Sequence, residues 1–211
     1  MLPGIIECNP SAVSSDSYCM KARLAFLATA SVVVVLSACG DVASLKATFT
    51  TSTDTMAVYA LSGTPPSYPS AIAVLARQPV RVDASALFDI ALDITPAGQA
   101  IVYPLKLVVP NPSGSRPVGL QVVAGSFDAA TIAPKEGYQP DTAVVLNPDE
   151  TLMIQSAHNG TGDVCQFAIN PNIFAKIAVD SVNLASRTLY VRLGLDPNCG
   201  FRSFSEGIPT S

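Results

Sequence analysis

One histidine, five cysteines and sixteen carboxylates are the groups on which catalysis in this 211-residue chain would have to be built. A single imidazole excludes a metal site with two or three His ligands. His158 sits in Ala157-His158-Asn159-Gly160-Thr161-Gly162-Asp163, a polar, glycine-bearing stretch that reads as a solvated loop. As a general base it would need partners that the sequence does not show. No Gly-x-Ser-x-Gly elbow occurs, and Gly125-Ser126-Phe127 reads as a fragment of a β-turn. Gly160-Thr161-Gly162-Asp163 lacks the Lys and the following helix of a phosphate cradle. Asp89 and Asp93 lie on one strand face about 13 Å apart, too far to share an ion. EF-hand spacing is absent, so both read as solvated strand-face carboxylates. No catalytic residue, metal ligand or cofactor is assigned, and the expected role is non-enzymatic.

The elements that would carry any site are strands. Hydrophobic residues make up 49% of the chain and charged ones 13%, which excludes disorder, while seventeen prolines exclude a helical bundle. A net charge of -4 argues against a nucleic-acid partner. Phe88, Ile90, Leu92 and Ile94 alternate with Asp89, Ala91 and Asp93. Thr95-Pro96-Ala97-Gly98 reads as a turn, after which Ile101, Tyr103, Leu105 and Leu107 resume the alternation. This predicts a hairpin with one wet and one dry face.

The same pattern recurs at 48–61, 72–76, 118–123, 142–146, 151–155, 166–170, 176–180 and 188–195, with Asn147-Pro148-Asp149-Glu150 as a second turn. Phe201 to Phe204 is expected to add a last short strand, and only Asn172 to Ala178 could form a helical turn. Pro65, Pro66 and Pro69, and then Pro110, Pro112 and Pro117, mark two surface loops, because proline cannot donate to a sheet ladder. The expected fold is all-β: an antiparallel β-sandwich of about eight or nine strands in a single domain, 48–211, with little helix. Tyr68 and Tyr138, in Pro-rich loops, are the candidates for a binding surface, or else they cap the ends of the sandwich.

The start of the chain reads differently. Met20-Lys21-Ala22-Arg23 is a short basic head, and Leu24 to Leu36 is an apolar run broken only by Thr29 and Ser31. Thirteen residues rise about 20 Å as a helix, well short of a roughly 30 Å hydrocarbon core. The run ends in Leu36-Ser37-Ala38-Cys39, which resembles the lipobox of bacterial lipoproteins. That resemblance implies a signal peptide at 20–38, cleavage before Cys39, a diacylglyceryl thioether on the Cys39 sulfur and a short tether at 39–47. It implies a bacterial envelope location, with the lipid bilayer as partner through acylated Cys39. Two or three acyl chains give stable anchoring where one would be marginal. An Asp two positions after the lipidated Cys, as Asp41 is here, resembles an inner-membrane retention signal whose rule varies between bacteria. Residues 1–19 carry Glu7 and Asp16 but no basic residue, and read as a disordered extension ahead of a start at Met20.

With Cys39 acylated, the exported chain retains Cys165 and Cys199, and an exported domain with two such cysteines is expected to join them. The Cys/His spacing of a zinc site is absent. Lys176 to Leu195 resembles the closing strand pair of immunoglobulin-like bacterial envelope domains. The chain departs from antibody-type domains in having no tryptophan and no Cys pair at the inter-sheet spacing. The function expected from all of this is binding, adhesion or assembly at the membrane surface, with an envelope protein or glycan as partner. The alternatives are an envelope hydrolase working through carboxylates on carbohydrate or peptide, and an accessory lipoprotein of a transport or secretion complex.

Overall fold

The computed structural model describes residues 47–82, 88–109 and 117–210. The segments expected to be an extension (1–19), a signal peptide (20–38) and a tether beginning at Cys39 (39–47, all but its last residue), together with the proline connection at 110–116, lie outside the described residues. Among those described, the strands are β1 (Ser52–Tyr59), β2 (Ala71–Ala73), β3 (Gln78–Val80), β4 (Ile90–Ile94), β5 (Ala100–Pro104), β6 (Val118–Ala124), β7 (Val144–Leu146), β8 (Glu150–Ala157), β9 (Asn172–Asn183) and β10 (Thr188–Asp196). They form two five-stranded antiparallel sheets, β1-β10-β9-β8-β6 and β3-β2-β4-β5-β7, packed as a sandwich. The count is ten rather than eight or nine; β7 falls within the expected 142–146 segment, whereas the three-residue edge strand β3 is too short for periodicity to resolve.

One continuous apolar core lies between the sheets. In the first sheet, Leu152 opposes Ile177, which opposes Leu193, and all three are buried with Ile90, Leu92 and Val102 of the second. Alternation places these side chains on the inner face, and their burial supplies the main driving force for folding. The Thr95–Gly98 turn closes the β4–β5 hairpin as expected: Gly98 takes φ 84° and donates its N–H to the Thr95 carbonyl at 2.9 Å. Asn147–Glu150 is also a turn, but it carries the chain from β7 in the second sheet to β8 in the first.

Several expectations need correction. The alternation at Leu105 and Leu107 is not strand: β5 ends at Pro104, and Leu105–Val108 is a single helical turn, α1, whose Leu105 N–H bonds the Asp89 carbonyl. Asn172–Ala178 is not helical but the first half of β9. Residues 166–170 are turn rather than strand, and Phe201–Phe204 contributes only a bridge between Ser203 and Ile132. Nor is one face of each sheet wet. Met153, Phe174 and Lys176 point away from the main core yet are buried, because the β6–β7 connection and the C-terminal segment cover them.

The first sheet has two distinct ends. Ser52 opposes Leu195, Phe174 opposes Asp196, Asn172 opposes Ala157 and Val118 opposes Ser156, so these residues share one end, the clamp end. Tyr59, Thr188 and Asn183 lie at the other, the hairpin end.

Candidate functional site

At the hairpin end, the β9–β10 turn lays Arg187 across the β4–β5 hairpin. Its Nε donates to the Ser62 carbonyl at 2.7 Å, and its Nη2 to Ser62 Oγ at 3.1 Å, Asp93 Oδ1 at 3.1 Å and the Ile94 carbonyl at 3.3 Å. Asp93 Oδ1 also accepts from Ser62 Oγ at 2.9 Å and the Ile94 N–H at 2.7 Å. The arrangement depends on Gly63: with φ 73° it suits glycine, and a Cβ there would lie 2.9 Å from Arg187 Cδ. These residues, with Pro96, Ile101 and Tyr103, line an open cleft of about 430 Å³. Its carboxylate, Asp93, already accepts from Arg187, Ser62 and the Ile94 N–H through one oxygen. Asp93 is therefore a brace for the guanidinium, and the cleft offers a partly exposed cation beside apolar walls, which suits holding a ligand.

The clamp end is built around Asn198. Its Oδ1 accepts the Thr48 and Phe49 N–H groups at 2.8 and 2.9 Å, and its Nδ2 donates to the Phe49 carbonyl at 2.8 Å and to Asp196 Oδ1 at 2.6 Å. One amide thus fastens the start of the described chain to the end of β10. Asp196 is buried, its Oδ2 has no partner, and burial pushes its carboxyl above the usual range against the pull of Asn198. The residue after Asn198, Cys199, forms the expected disulfide with Cys165, Cα atoms 5.7 Å apart. It joins the C-terminal turn to the turn after His158 rather than to a strand.

His158 and Asp89 correct the reading of both as solvated. His158 is fully buried: its N–H bonds the Pro171 carbonyl, its own carbonyl accepts from the Cys165 N–H, and Nδ1 lies 3.3 Å from Asp163 Oδ1. The disulfide-closed turn folds back over the ring, which loop polarity alone does not reveal. Asp89 is 1% exposed, and its carboxylate accepts Ser156 Oγ at 2.6 Å and the Val74 N–H at 2.7 Å, linking the two sheets. Among the described residues no group of three or more His, Cys, Asp or Glu is gathered as for a metal.

The two tyrosines belong to different packing units. Tyr68 is exposed and rests against Tyr59, ring centroids 4.5 Å apart. Tyr138 packs on Phe174 and donates its hydroxyl to the Pro134 carbonyl, and burial raises its phenol pKa. Sequence reasoning did not single out Lys176, whose Nζ donates to the Phe127 and Ala130 carbonyls at 2.6 and 2.9 Å and stands 4.3 Å from the Phe127 ring centroid. A lysine in the middle of the apolar run Ile173–Val179 was the available signal. No family model matches the chain, and neither a curated protein nor a solved structure matches it.

Proposed function

We propose that this chain is a bacterial envelope lipoprotein, held to a membrane by acyl chains on Cys39, whose β-sandwich is a non-enzymatic binding module for an envelope protein or glycan. The observation that carries the reading is the lipobox Leu36-Ser37-Ala38-Cys39 a few residues ahead of Thr48, where the described chain is clamped to one end of the sandwich. The cleft lies at the other end, so an anchored domain would turn it away from the bilayer. Binding is favoured over acid–base chemistry because the carboxylate of the cleft is engaged by Arg187 and Ser62.

The test is incorporation of radiolabelled fatty acid into wild type and Cys39→Ala in a bacterial host. The expected result is label in wild type only; undiminished label in the variant overturns the anchor. For the binding half, envelope partners cross-linked to wild type are expected to be lost from Tyr103→Ala, which alters a half-buried wall of the cleft. Identical partner profiles would overturn the assignment of the cleft.

A further inference from the structure

The turn that follows β8 displays apolar side chains where a soluble loop would keep them covered. Phe167 is 92% exposed, Ile169 is 105% exposed, and Val164 beside them is largely exposed as well. Isolated apolar residues on a surface are ordinary, but several together on one loop mark a contact. The loop is not slack. Its Asp163, Cys165 and Ala168 N–H groups bond the carbonyls of Gly160, His158 and Cys165, and Cys165 is tied to Cys199. Phe167 and Ile169 are therefore held out by a braced turn.

What faces this turn follows from where the chain enters the sandwich. Thr48 and Phe49 are bonded to Asn198, the neighbour of Cys199, whose disulfide partner Cys165 is two residues from Phe167. Phe49 itself is exposed. Cys39 precedes Thr48 by nine residues, which span at most about 32 Å fully extended. An acylated Cys39 therefore confines the clamp end to the neighbourhood of the bilayer surface. Between Lys135 and Lys176 there is no Lys or Arg, and the one carboxylate between His158 and Pro171, Asp163, faces the His158 ring. The turn itself therefore offers an apolar contact rather than an attraction to anionic headgroups.

We infer that Phe167 and Ile169, with Phe49 beside the tether, form a wedge that seats the clamp end in the interfacial layer of the membrane to which Cys39 is attached. This rests on the lipoprotein reading. The acyl chains supply the anchor, and the wedge fixes the orientation of the domain. A braced loop gives up little further freedom on insertion, which is why a disulfide beside it helps.

The chain has no tryptophan, so Phe167→Trp introduces a unique fluorescent reporter on the wedge. Leu184→Trp, at an exposed position past the far end of the twelve-residue β9, is the control. Each full chain, exported and processed in a bacterial host, is reconstituted into phosphatidylcholine vesicles with bromine in the upper acyl chain. The expected result is about twofold or greater quenching of the Phe167→Trp variant with a blue-shifted emission, as for a ring seated about 5–10 Å into the interface, and no quenching of the Leu184→Trp variant. Equal quenching of both variants, or none of Phe167→Trp, overturns the wedge. So does a blue shift of the Phe167→Trp variant that depends on protein concentration in lipid-free detergent, which would mark the patch as a contact with a second copy. The acyl mass on Cys39, read from the same sample, separates the two failures. An acylated Phe167→Trp chain that stays unquenched sinks the wedge alone, and an unacylated chain sinks the lipoprotein reading and the wedge with it.

Discussion

At the clamp end, Asp196 Oδ2 is buried and without a partner. Burial raises the Asp196 pKa above its ordinary 3.8, so its contribution to stability is fully present below that value and is lost as pH rises through the higher folded value. Above it, the protein holds a desolvated carboxylate whose acceptor contacts are to Asn198. Asp196→Asn keeps an oxygen for those two bonds and removes the charge, while its amide NH2 takes the partnerless place of Oδ2 and offsets part of the gain. The variant is expected to be more stable at neutral pH by about 1 kcal/mol, which raises Tm by about 2–4 °C. The gain should shrink as pH falls and vanish below the ordinary carboxylate range, which thermal melts of both proteins between about pH 3 and about pH 8 would measure. Asp89 is the opposite case, a buried carboxylate supplied with donors. Ser156→Ala withdraws its 2.6 Å hydroxyl and is expected to cost about 2 kcal/mol in urea unfolding. Neither carboxylate was legible beforehand, because the groups that decide their state are brought together only by the folded backbone.

At the scale of elements, Lys176 is the fastening between the first sheet and the β6–β7 connection that covers its outer face. Gly194, opposite it in register, leaves room: a Cβ there would lie 3.0 Å from Lys176 Cε and 3.1 Å from Phe127 Cζ. Desolvation lowers the Lys176 pKa, yet the two carbonyls it satisfies would be stranded without it. Stranded carbonyls outweigh the relieved charge, so Lys176→Met is expected to lose about 2 kcal/mol. Hydrogen exchange should rise first at 125–143 while the β4–β5 hairpin stays protected; uniform loss of protection would contradict the local role. What alternation made legible was β1, β4, β6, β8, β10, the middle of β9 and the Thr95–Gly98 turn, since each is set by residues close in sequence. It misread Leu105 and Leu107, where Pro104 ends the ladder and the chain turns into α1. It also misread the outer face of β9, because a face is wet only until another segment folds over it.

For the whole molecule, the two termini of the fold meet. β1 pairs with β10 along its length, and the Asn198 clamp and the Cys165–Cys199 bond stand at one end of that pair. Replacing both cysteines with Ala frees a loop of 34 residues and is expected to cost about 3–4 kcal/mol in denaturant unfolding. The same bond sets the polarity of the molecule. β9 runs from the apolar turn to the Arg187 turn, and twelve residues of strand extend about 40 Å. On the proposed lipoprotein reading, a domain seated by Phe167 and Ile169 would therefore hold its cleft several nanometres from the lipid, open to a partner. Chymotrypsin distinguishes the ends without any substitution, since Phe167 and Leu184 are both exposed and lie at opposite ends of β9. In detergent, cleavage is expected after both. Both cuts fall inside the loop closed by Cys165–Cys199 and are read after reduction; on vesicles the Phe167 cut should be suppressed while the Leu184 cut persists, because bilayer contact shields one end only. Retention of both cuts on vesicles would mean that the acyl chains tether a domain free to tumble, and the cleft would then have no fixed direction.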